Sequence, residues 1–199
     1  MKKFELTTEA QISFGKTLYR IKALISFGEV CAGDIGGWVE KEENLSHDGD
    51  AWVFGDALVF GNARVYGNAR VFGNARVYGN ARVFGNAWVY GNARVFGNAW
   101  VSGDAWVSGD AWVYGNAQVY GNAQVMWISN IGSRNGTTTF FATKTGIYVN
   151  CGCFSGSLEA FAAAVDKNHG DSEHGKAYRL AIELAKLRIN CRRRNKNEN

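Results

Sequence analysis

The stretch GDAWVF GDALVF GNARVY GNARVF GNARVY GNARVF GNAWVY GNARVF GNAWVS GDAWVS GDAWVY GNAQVY GNAQVM, from Gly49 to Met126, decides the fold. It is thirteen consecutive copies of one six-residue phrase: Gly, Asn or Asp, Ala, a variable residue, Val and a second variable residue. A strict period without gaps means that each copy is a unit too small to bury its own apolar face, and stacked neighbours cover it. Ala-x-Val-x alternates with the two-residue period of a strand, so Ala and Val share one face and the variable residues the other. Ala and Val never change, whereas the variable slots hold Trp, Arg, Leu, Gln, Phe, Tyr, Ser and Met, too unequal in size for a repeated core slot. The constant residues therefore point inward. Gly followed by Asn or Asp supplies a tight corner, because both types tolerate left-handed backbone angles. Strands of about four residues joined by such corners pair with the coils above and below when wound into a parallel solenoid, whereas a meander would leave open edges.

The phrase V-[FY]-G-[ND]-A-x is similar to the hexapeptide repeat of left-handed β-helix proteins, in which an aliphatic residue is followed four positions later by a small one. The resemblance implies three hexads per triangular coil and a left-handed winding, an exception to the usual right-handed crossover. Thirteen hexads then give a little over four coils, and at roughly 4.8 Å per coil a prism about 20 Å tall. The expected fold class is mainly β: a left-handed parallel β-helix over residues 49–126, an N-terminal β cap and solenoid entry over 1–48, a C-terminal α+β domain of order βββαα over 127–190, and a basic tail over 191–199.

In the cap, Leu18 to Leu24 is strand-like, and Val39 and Leu45 start the hexad rhythm six residues apart; two extra residues then precede Val53 at a corner. Such a cap covers an edge that would otherwise recruit other strands. In the C-terminal domain, Asn135-Gly136 is a turn signal between strands Trp127–Ile131 and Thr137–Ala142, and a third strand fits Gly146–Cys151. Leu158, Phe161, Ala162 and Val165 mark one helix, with Ser155 or Ser157 as its cap and His169-Gly170 as its end. Asp171 caps a second helix whose stripe is Ala177, Leu180, Ala181, Leu184 and Leu187, with Tyr178, Ile182, Ala185 and Ile189 beside it.

The flanks carry a second resemblance. Phe27 to Glu40, followed by Asn44-Leu45-Ser46, resembles the opening segment of uncharacterised bacterial and phage hexapeptide-repeat proteins. Gly132 to Phe141, through Cys151-Gly152-Cys153-Phe154 to Lys186, resembles a small domain that recurs in phage-borne proteins of unknown function. This implies a phage or prophage origin and supplies no activity.

Composition narrows the classes. The chain of 199 residues has no proline and 25 glycines, and its net charge of +4 is mild for a strong nonspecific nucleic-acid binder. MKKFELTTEAQ lacks the apolar core of a signal peptide, and no apolar run reaches membrane-spanning length, so the expected compartment is the cytoplasm, that of a host if the protein is phage-encoded, with no membrane partner. Cys31, Cys151, Cys153 and Cys191 read there as thiols; Cys151-Gly152-Cys153 has no second pair at zinc spacing, and neither metal nor cofactor is expected.

Three hexads per coil sort the variable slots into three faces. The first stacks Trp52, Arg70, Trp88, Trp106 and Gln124; the second Leu58, Arg76, Arg94 and Trp112; the third Arg64, Arg82, Trp100 and Gln118, each column flanked by Phe, Tyr or Ser. Arg64 over Arg82 and Arg76 over Arg94 are like charges one strand apart, which repel unless screened. Aromatic neighbours help by cation–π contact, and an anionic ligand or acidic partner helps more. The candidate ligand or partner surface is therefore Arg64, Arg70, Arg76, Arg82, Arg94, Trp88, Trp100, Trp106 and Trp112, with Arg134 in the following domain. Three readings fit this surface: ladders that only stabilise the coil, self-association into a homo-oligomer, and binding of an anionic partner such as a nucleotide, nucleic acid or acidic protein.

Left-handed β-helix proteins include many acyltransferases and a zinc carbonic anhydrase class, whose histidines lie on the coils. Here no histidine falls between Asp48 and Asn168, and Asp50, Asp56, Asp104 and Asp110 occupy the corner slot that Asn takes elsewhere, a backbone role. No catalytic residue is expected on the repeat. The only cluster with catalytic residue types is His169, Asp171, Glu173 and His174, at a helix start. The expectation is a non-enzymatic phage accessory protein, a rigid scaffold for protein binding or self-assembly that blocks or sequesters a host defence factor. The alternatives are a nucleotide or nucleic-acid binder using the Arg and aromatic ladders, and an acyltransferase-like enzyme completed by the C-terminal domain.

Overall fold

The computed structural model describes residues 1–120, 125–143 and 145–189. Gln124, Cys191 and the expected basic tail lie outside the described residues. The chain begins with β1 (Phe4–Ser13), β2 (Lys16–Ala23) and β3 (Ile35–Val39), paired antiparallel in that order. β3 then pairs parallel with the repeat and hands the chain to the solenoid.

The repeat forms a parallel β-solenoid whose register repeats every 18 residues, as in the amide contacts between its coils. One column stacks β4 (Trp52–Val53), β7 (Arg70–Val71), β10 (Trp88–Val89) and β13 (Trp106–Val107). A second stacks β5 (Leu58–Val59), β8 (Arg76–Val77), β11 (Arg94–Val95) and β14 (Trp112–Val113) beneath β3. The third holds β6 (Arg64–Val65), β9 (Arg82–Val83), β12 (Trp100–Ser102) and β15 (Gln118–Tyr120), with Leu45 bridged to Val65 above them. Most of these strands are two residues long rather than about four, because the ladder regularises only at the x-Val pair. Residues outside that pair still bond from coil to coil, as in Asn62 N–H to Gly79 C=O at 2.8 Å.

The constant residues face inward: every repeat Ala and Val from Ala51 to Val119 is at most 1% exposed. At the corner, Gly85 has φ +68°, and a Cβ there would lie 2.9 Å from the backbone nitrogen of Gly103. Left-handed geometry and close coil stacking together require glycine at that position. Outside, second-slot rings stack in ladders: Phe60, Tyr78, Phe96 and Tyr114 follow one another at 4.9–5.0 Å, and Tyr66 lies on Phe84 at 4.9 Å.

The C-terminal sheet has four strands, not three: β16 (Val125–Ile131), β17 (Gly136–Thr143), β18 (Gly146–Cys151) and β19 (Phe154–Ser157), all antiparallel neighbours. Gly152, at φ +58°, folds Phe154–Ser157 back on β18, a hairpin hidden in the sequence by a short, Ser/Gly-rich last strand. Helix α1 (Leu158–His169) is capped by Ser157, whose Oγ accepts from Ala160 N–H at 3.2 Å, and Gly170 ends it. Helix α2 (Glu173–Arg188) is capped by Ser172 rather than Asp171; Asp171 instead pairs with Arg179 at 3.2 Å. The buried face of α2 is Tyr178, Ala181, Ile182 and Ala185, while Leu180, Leu184 and Leu187 are exposed. The two stripes are adjacent on the helix, and packing against α1 and β16 selects the one carrying Tyr178.

Candidate functional site

The N-terminal segment caps the first coil with side chains that stand in for a missing coil. Lys3 Nζ donates to Gly49 C=O at 3.0 Å and Ala51 C=O at 2.8 Å, Asn44 Nδ2 donates to Gly61 C=O at 3.1 Å and Ala63 C=O at 2.8 Å, and Arg20 donates to Gly55 C=O. The same segment covers two of the three outer faces.

On the first face, a tight loop in which Phe27 and Val30 exchange backbone bonds sets Glu29 against Arg70, with Nη1 to Oε2 at 2.8 Å. Arg70 also lies over Trp88 at 5.4 Å, and Trp88 stacks on Trp106 at 5.4 Å. On the second face, the β1–β2 turn at Phe14-Gly15, with φ +54° and +72°, lays Phe14 over Phe60 at 5.5 Å and under the Arg76 guanidinium at 4.9 Å. Arg94 sits over Trp112 at 4.8 Å. Arg70, Arg76 and Arg94 are all half-buried. Burial raises the Tyr78 phenol above its ordinary pKa, with Arg94 and Arg76 opposing the shift.

The third face is different. Arg64 and Arg82 are both exposed and pair in register on adjacent coils. Arg82 lies over Trp100 at 5.1 Å, whereas the Arg64 guanidinium makes neither ion pair, hydrogen bond nor ring contact among the described residues. Both line a cleft of about 680 Å³ together with Leu45, Val65 and Tyr66 and with Glu42, Glu43, Ser46, His47 and Asp48. The 3₁₀ turn Glu42–Asn44 supplies two of these acids, and its Asn44 is fixed in the cap.

His47 is committed. Its Nδ1 accepts the Lys3 backbone N–H at 3.1 Å, and its Nε2 lies 2.6 Å from Glu42 Oε1. With both ring nitrogens engaged it has no free lone pair to act as a general base. The hydrogen bond to His47 holds the Glu42 carboxyl below its ordinary pKa, helped by Lys2 at 3.2 Å. Glu43 and Asp48 make no ion pair or carboxylate hydrogen bond among the described residues.

Of the residues picked out from the sequence, the fold brings Arg64, Arg82 and Trp100 together on the open face. It places Arg70, Trp88 and Trp106 on the first face and Arg76, Arg94 and Trp112 on the second. Arg134 lies apart from all three, in the turn between β16 and β17. The acidic lining was missed, although its signal was available. Leu45 meets Val65 across 20 residues, one 18-residue coil plus the two-residue insertion before Val53, and this register brings Glu43 and Asp48 into the cleft that Arg64 lines. His169 and His174 meet at 6.2 Å at the α1–α2 junction, and among the described residues no group of three or more His, Cys, Asp or Glu could hold a metal ion. No helix among the described residues is long and apolar enough to cross a membrane.

The family model of the YdcK beta solenoid repeat matches residues 63–76, 75–91 and 87–103. The match covers the middle of the solenoid and is a likeness in the repeat alone. No curated protein matches the chain.

Proposed function

We propose that the protein is a binding scaffold without catalytic activity, in which a stiff solenoid presents its third face to a partner macromolecule and Arg64 and Arg82 hold an anionic group on that partner. One observation supports this reading: the cap neutralises Arg70 and covers Arg76, Arg94 lies half-buried over Trp112, and the third pair is left exposed over a cleft. Two arginines on strands about 4.8 Å apart carry like charges that repel, and a carboxylate or phosphate bridging them relieves the repulsion while accepting charge-assisted hydrogen bonds. The stacked Tyr66–Phe84 pair beside them keeps the surface rigid, so little ordering cost attends binding. The likeness of the flanks to phage-borne proteins makes a host component the natural partner and its sequestration the use.

Capture from host lysate, followed by mass spectrometry, tests the reading. Proteins or small molecules retained by the wild type should be lost from Arg64→Ala/Arg82→Ala, by about tenfold or more, and kept by Arg76→Ala/Arg94→Ala on the covered face. Equal retention by both double variants would remove the third face from the function.

A further inference from the structure

We infer that the third-face cleft receives an extended segment of a partner protein carrying an acidic and a basic residue, rather than a polyanion such as nucleic acid. The inference rests on the proposed role of Arg64 and Arg82 and specifies the ligand they take. The cleft is bipolar: these two arginines line it together with Glu43 and Asp48, neither of which makes an ion pair among the described residues, although Asp48 also feels the Lys3 ammonium. Glu42 in the same lining is already balanced by Lys2 and the His47 contact. A phosphodiester backbone brings a negative charge at every step, so seating one phosphate on Arg64 presses its neighbours against Glu43 and Asp48. Like charges brought together in this way disfavour binding. A single acidic side chain followed by a basic one offers the complementary sign to both sets of charges, and Leu45, Val65 and Tyr66 of the same lining receive the apolar part of the segment.

Fluorescence anisotropy on the whole protein distinguishes the cases with three labelled probes: the acetylated peptide Gly-Glu-Leu-Lys-Gly, the same peptide with Glu in place of Lys, and a short oligothymidylate. The mixed peptide should bind about fivefold more tightly than the acidic one, the range expected of an exposed ion pair. The isosteric pair Glu43→Gln/Asp48→Asn should erase that preference and improve oligothymidylate binding, and Arg64→Ala/Arg82→Ala should weaken both peptides. Tighter binding of oligothymidylate or of the acidic peptide by the wild type overturns the bipolar ligand and leaves the arginine pair standing. Peptide binding unchanged by Arg64→Ala/Arg82→Ala overturns the role of the arginine pair itself. Saturable binding of none of the probes at millimolar concentration also overturns the inference, while lysate capture tests the scaffold role separately.

Discussion

Asn80 accepts from Asn62 Nδ2 at 3.2 Å and donates from its own Nδ2 to Asn98 Oδ1 at 3.0 Å, which gives the corner ladders a direction. Each amide passes a hydrogen bond to the coil that follows it in sequence. An aspartate accepts but cannot donate, so it suits only the receiving end of such a ladder. The aspartates of the last described coil sit at that end, and the two at the start stand outside the side-chain ladder. Asp104 and Asp110 receive from Asn86 and Asn92 in the last described coil; at the start, Asp56 turns to Arg20, and the backbone N–H of Asp50 reaches Asn68 Oδ1. Asn80→Asp should cost about 1 kcal/mol or more, because it sets acceptor against acceptor at Asn98. Asn116→Asp, which only receives from Asn98 at 3.2 Å, should stay within about 0.5 kcal/mol of wild type. Equal shifts of the two urea midpoints would refute the directional ladder. The Asn/Asp choice in each phrase was visible in the sequence and read as a backbone corner. Its side-chain role emerges only with the 18-residue register, which sets corner beside corner.

At the scale of the elements, the cap shows what local pattern can and cannot reveal. That residues before Gly49 shield the first coil followed from the need to cover an edge, and the strand around Leu18 was legible in its alternation. The residues that satisfy the open carbonyls were not legible, since Lys3 reaches Gly49 and Ala51 across 46 and 48 residues and no periodicity marks it. Burial lowers the Lys3 ammonium from 10.5 to about 8, with Asp50 and Asp48 opposing the shift. Its unfolded form therefore binds more protons than its folded form between about pH 8 and 10.5, and in that window the lysine makes stability rise with pH. Tyr114 acts oppositely. Burial pushes its phenol up to about 12, so the unfolded state ionises first, above pH 10, and stability falls there. The denaturation midpoint should thus rise from pH 8 to about 9.5 and decline beyond pH 10. Lys3→Met should remove the rise and destabilise the fold by about 2 kcal/mol through two orphaned carbonyls. A midpoint flat over that interval in wild type, or a slope retained in the variant, would contradict this account.

Across the whole molecule, the three faces begin alike in sequence and end unlike, because sheet edges and loops from outside the repeat settle on two of them. The columns could be read from the period; the coverage could not, since Glu29 and Phe14 approach from turns with no rhythm of their own. The other end of the solenoid is closed with the complementary chemistry. Where the first coil offers carbonyls to donors, the coil beneath β14 lacks an acceptor for the Trp112 N–H, and Thr139 Oγ1 on β17 supplies one at 2.9 Å. Asn150 Nδ2 donates to Trp112 C=O at 3.1 Å, and the Tyr114 hydroxyl bonds Gly152 and Phe154 C=O, both at 2.8 Å. These contacts tie the C-terminal domain to the coil, so the solenoid and its lid should unfold as one unit. Thr139 is fully buried, and Thr139→Val keeps its shape while deleting the acceptor. The variant should lose about 1–3 kcal/mol, the cost of leaving a buried N–H unsatisfied. Its Trp112 amide should exchange faster with solvent deuterium than that of Trp100, whose N–H bonds Ala117 C=O and is untouched by the change. Protection of the Trp112 amide equal to wild type would mean that the two parts are held together by packing alone.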